Sequence, residues 1–137
     1  MIPLLLFALL ATAQDSTPPD VLSFLHALGT DLANAHPDPV NNPEGSARPF
    51  LDHFDPAMPG YAKLRDEVED LTARGQVGSV IEIASDSGDE RRRVMELDWV
   101  LEIENKPPRR QLVKCTIGKK GRSWKITEFA PVEFFKY

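Results

Sequence analysis

The chain has 137 residues, about one domain, and 21 acidic against 16 basic side chains give it a net charge of −5. That acidic balance argues against a partner recognised through phosphate neutralisation, so neither nucleic acid nor an anionic membrane surface is expected. Cys115 is the only cysteine, so no internal disulfide can form and stability must come from apolar burial, for which a chain of this length suffices.

Residues 1–13 carry no ionisable side chain and end in Ala11-Thr12-Ala13, the small-x-small pattern of a cleaved signal peptide. The run is too short for the ~20 apolar residues that span a bilayer. An exported protein is therefore expected, periplasmic or secreted, with no membrane attachment after cleavage. Residues 14–20 read as a polar, disordered lead, and residues 21–137 as a single domain.

Asp20 stands in the N-cap position before Val21, Leu25, Leu28 and Leu32, whose spacing predicts a helix over 21–35. His36-Pro37 ends it, because the residue before proline is pushed out of the helical region. Pro37, Pro39, Pro43 and Pro49, with Asn41, Asn42 and Gly45, predict a long irregular loop. Phe50 and Phe54 then mark a helical turn that plugs the core. Tyr61, Leu64, Val68 and Leu71 form a second helical stripe, and Gly75 is placed to cap it.

From Val77 onward the apolar period becomes two. Met95, Leu97, Trp99, Leu101 and Ile103 alternate with Glu96, Asp98, Val100 and Glu102, which predicts a half-buried strand. Val113, Cys115 and Ile117 share one face of the next strand, and Trp124 and Ile126 one face of the last. An earlier strand over 77–85 offers Ile81 and Ile83, with a turn over 86–89.

Facing residues in an antiparallel hairpin lie on the same side of the sheet. A five-residue loop around Pro107-Pro108 would set Trp99 opposite Cys115, Leu101 opposite Val113 and Glu104 opposite Arg110. A two-residue turn at Lys120-Gly121 would set Trp124 opposite Ile117 and Ile126 opposite Cys115. The expected fold is α+β: N-terminal helices packed on a strongly curved, mainly antiparallel four-stranded sheet, in the form of a cone.

The helices-then-meander order, the Lys120-Gly121 turn and the following Trp124-x-Ile126 resemble the nuclear transport factor 2-like superfamily, in its SnoaL or ketosteroid isomerase form. The stretches Phe54-Asp55-Pro56-Ala57-Met58-Pro59-Gly60-Tyr61 and Glu96-Leu97-Asp98-Trp99 look most like exported bacterial members without an assigned activity. The resemblance implies a pocket between sheet and helices. Steroid-isomerising members pair a carboxylate base with a tyrosine donor, and no residue here matches those positions one for one.

Strand parity directs Gln111 and Glu128 into such a pocket beside Trp99, Cys115 and Trp124. An inward Glu128 carboxylate would have a raised pKa and could serve as a general base, although a bulge before Pro131 would turn it to water. His53 and Tyr61, from the covering helices, complete the weak catalytic candidates. Asp52, His53 and Asp55 match no metal-ligand spacing, so neither metal nor cofactor is expected. Val94, Val100, Leu112 and Phe129 have outward parity and give the outer sheet face apolar patches suited to a homodimer. Two functions follow: a binding or scaffolding module, or a small lyase or isomerase acting on a hydrophobic molecule inside the cone.

Overall fold

The computed structural model describes residues 17–137; the signal peptide expected over residues 1–13 lies outside them. Among the described residues three helices precede the sheet: α1 (Pro19–Ala33), α2 (Arg48–Leu51) and α3 (Tyr61–Arg74). Four antiparallel strands follow in chain order, β1 (Val77–Gly88), β2 (Arg92–Ile103), β3 (Arg109–Lys120) and β4 (Ser123–Ala130), and a 3-10 turn (Val132–Phe135) closes the chain. This is an α+β arrangement of helices packed on a four-stranded antiparallel sheet.

Helix α1 starts two residues before the expected first residue Val21, with Pro19 in its first turn, where a missing N–H costs nothing. Asp20 therefore lies inside the helix, and its carboxylate accepts from Trp124 Nε1 at 2.9 Å and Lys119 Nζ at 3.2 Å. The Trp124 indole first, and Lys119 after it, hold the Asp20 carboxyl below its ordinary value. Of the lead expected over residues 14–20, residues 14–16 lie outside the described residues, and Thr17 is buried whereas Asp20 is exposed.

The inner face of the sheet follows the expected parity. Met95, Leu97, Trp99, Leu101, Val113, Cys115, Ile117 and Ile126 are all sealed from solvent. The register, however, differs from expectation at both hairpins. Met95 faces Cys115, Leu97 faces Val113 and Trp99 faces Gln111. The cause lies at the hairpin end: Glu104 is drawn away from Arg110 to the start of β1, where its N–H donates to Gln76 O and its Oε1 accepts from Gln76 N–H. Arg110 instead makes a two-pronged pair with Asp98, at 3.0 and 2.6 Å. Gly75 sits beside this junction because a Cβ there would stand 3.0 Å from Glu104 Oε1.

At the second hairpin the turn falls on Gly121-Arg122, with Gly121 at φ 66° and Lys120 facing Ser123. Trp124 accordingly faces Lys119, and Ile126 faces Ile117. A register shift then intervenes beyond Ile126, so that Phe129 faces Cys115. The extra residue reverses parity for the rest of β4. Phe129 is thus a core residue rather than part of an outer patch.

The reversal completes an aromatic cluster. Trp99 lies 5.9 Å from Phe129, 5.6 Å from Phe134 and 5.5 Å from Phe135 between ring centroids. Phe50 reaches Phe135 at 5.5 Å and Phe54 at 5.4 Å. Most of these pairs meet edge to face, the geometry favoured by the ring quadrupole. Helix α2 and the 3-10 turn thereby close over the sheet, and the Trp99 indole N–H is satisfied by Ser79 Oγ at 3.1 Å.

A second constraint sits at the far end of β1. A register shift between Ile83 and Ser85 turns Asp86 inward. Its side chain, 2% exposed, accepts from Arg93 Nε at 3.0 Å, Arg93 Nη2 at 3.1 Å and Thr17 Oγ1 at 2.8 Å. The cluster ties the segment leading into α1 to the β1–β2 hairpin.

Two stability measurements check this account. Trp99→Ala should lower unfolding free energy in urea by about 3–5 kcal/mol, the cost of a buried large-to-small change, and a loss under about 1 kcal/mol would contradict the packing described. Asp86→Asn should cost about 3–5 kcal/mol by leaving Arg93 without its counter-charge, whereas Asp98→Asn, at an exposed pair, should cost far less.

Candidate functional site

The seven residues that sequence reasoning assigned to a site do not converge. Trp99 and Cys115 are fully enclosed. Burial pushes the Cys115 thiol up to about 12, which leaves it protonated and inert at neutral pH. Gln111 has the expected parity but is exposed, because the register places it at the open end of β3 beside Arg110 and Leu112. Glu128, carried outward by the bulge, is exposed and pairs with Arg92 at 3.5 Å. No desolvated base exists at that position.

His53 is half-buried where α2 meets α1. Its Nε2 lies 2.6 Å from Asp31 Oδ2, and its ring meets Phe24 edge to face at 5.4 Å. Its backbone carbonyl accepts from Ile126 N–H at 2.8 Å. Both ends of the residue therefore fasten α1, α2 and β4 together. Asp52, His53 and Asp55 point to different partners: Asp52 O accepts from Lys125, His53 holds Asp31, and Asp55 Oδ1 accepts from Ala57 N–H. Among the described residues no three His, Cys, Asp or Glu side chains gather as a metal site would require.

Concave surface lies outside the core. Tyr61, half-buried at the start of α3, stands between two shallow grooves that share it with Leu51 and Asp52. One, of about 390 Å³, continues past Phe54, Lys120 and Lys125. The other, of about 620 Å³, continues past Arg48, Arg65 and Glu69 toward Ala35 and Pro37. Each carries both signs of charge.

A third groove, of about 500 Å³, separates α1 from β1. Leu22, Leu25, His26, Gly29, Thr30 and Ala33 form its helical wall, a stripe one step around the helix from the buried one. Ser79, Ile81 and Ile83 form the other wall. The helix and strand come close where Gly29 meets Ser79, since a Cβ on Gly29 would lie 3.7 Å from that of Ser79. Ile81 and Ile83 remain half-buried, and Leu22 is 42% exposed. Sequence reasoning assigned Ile81 and Ile83 to the inner face but missed the groove; its signal was the second stripe along α1, through Leu22, Leu25 and Gly29.

Neither the family models nor the curated proteins searched give a match to this chain. Among solved structures, Bd1075 of Bdellovibrio bacteriovorus is similar in fold, with a TM-score of 0.64 and 11% identity over 80% of this chain. The alignment spans only 38% of that protein's length. A protein of unknown function from Nostoc punctiforme with a cystatin-like fold aligns with a TM-score of 0.54 and 13% identity, over 80% of this chain and 85% of that one. At such identities the likeness speaks for fold alone, and the α+β architecture of this chain is of the cystatin-like kind.

Proposed function

We propose that this chain is an exported, non-catalytic binding or scaffolding module, built as a nuclear transport factor 2-like cone whose sheet curls around an aromatic filling. One observation carries the reading. The volume where a cone enzyme would hold its substrate is occupied by Trp99, Phe129, Phe134 and Phe135, with neighbouring centroids 5.1 to 6.3 Å apart. The dispersal of His53, Tyr61 and Glu128 supports it further, because acid–base catalysis needs groups within hydrogen-bond reach of one substrate. Export is supported by the uncharged apolar residues 1–13.

The working surface of such a module is its exterior. On the outer sheet face Val80 and Leu112 are 47% and 53% exposed, beside half-buried Val94 and Val100. That patch supports a homodimer through the same face. The competing lyase or isomerase reading requires a hydrophobic molecule to enter the core.

Thermal-shift measurements against apolar carbonyl compounds separate the two. A ligand at a hundred times its Kd would add about 2.7 kcal/mol of stability, several degrees in Tm. The module reading expects no shift at millimolar ligand, and a saturable rise in Tm would overturn it in favour of an enzyme or ligand carrier.

A further inference from the structure

Strand β1 is an edge strand: it pairs with β2 on one side and with no strand on the other among the described residues. An open edge presents a row of unpaired N–H and C=O groups, which proteins commonly blunt with lysine, proline or bulges. β1 has neither lysine nor proline, and its register shift falls at Ile83/Ser85, leaving seven residues from Val77 to Ile83 in unbroken register. The α1–β1 groove, with half-buried Ile81 and Ile83, runs beside that same stretch.

Charge indicates what fits there. Among the described residues no lysine or arginine lines the groove, and His26 and Glu102 are the ionisable side chains that do. Glu102 reaches the edge because Gly78, facing it on β1, has no side chain: a Cβ there would stand 3.7 Å from its Oε1. Glu82 adds a second exposed acid on the outer side of β1. A strand laid along β1 would alternate between the groove, where Leu22, Ile81 and Ile83 wait, and the outer side, where Glu82 and Glu102 stand.

We propose that β1 accepts an extended segment of a partner protein, with apolar residues alternating with lysine or arginine, as an added fifth strand. Backbone pairing supplies affinity, the groove takes the apolar side chains, and the acids select the basic ones. A second copy of β1 is a poor occupant, because it would bring the exposed Glu82 to an edge already acidic and would contribute no cation. The inference rests on the module reading, of which it names the partner class.

The test uses the isotope-labelled chain and three capped eight-residue peptides: alternating Val-Lys, alternating Val-Glu, and Val-Val-Lys-Lys repeated twice. Expected are binding of the alternating Val-Lys peptide at least tenfold tighter than either other and amide shifts centred on residues 77–83. Glu82→Lys should weaken that binding about tenfold, the loss of about 1.4 kcal/mol, with the fold and Tm unchanged. Equal affinity for the three peptides, no binding, amide shifts centred elsewhere, or concentration-dependent β1 shifts without peptide would each overturn the proposal. A failure here leaves Tm against apolar carbonyl compounds untouched, so the two readings fall separately.

Discussion

The packing of Trp99 against Phe129, Phe134 and Phe135 is the contact on which the rest of the molecule depends. These rings come from β2, β4 and the closing 3-10 turn, segments that a four-stranded meander would otherwise leave with little to hold them. Phe50 and Phe54 join the same cluster from α2 and the chain just beyond it, so one aromatic mass ties the sheet to the α2 region. Side chains of this size dominate core energetics, and these rings fill the interior between the sheet and the helices that cover it.

The bulge in β4 makes that packing possible. Without the extra residue beyond Ile126, Phe129 would face outward and Glu128 would sit against Cys115. One inserted residue therefore exchanges a buried carboxylate for a buried ring, which removes a desolvation cost of several kcal/mol. The same device acts at the end of β1, where the shift before Ser85 brings Asp86 inward, and there Arg93 compensates the charge while Thr17 donates a hydrogen bond.

Much of this architecture was legible in the residues. Alternation from Met95 to Ile103 is a local signal, and it located the inner face because side-chain direction depends only on parity. Register was not legible for the same reason: a slip of two residues on each strand of the first hairpin keeps every parity intact, and the bond between Glu104 and Gln76 that decides it joins distant parts of the chain. Glu128 was misplaced because parity arguments fail across a bulge. The groove beside β1 escaped notice because its walls come from elements some fifty residues apart in sequence, and neither wall is distinctive alone.

The central claim is that the interior is solid, and xenon tests it most directly, since the gas enters dry apolar cavities. A crystal pressurised with xenon should show no site among Trp99, Phe129, Phe134 and Phe135. A well-occupied xenon atom between those rings would contradict the account and restore a ligand-sized interior.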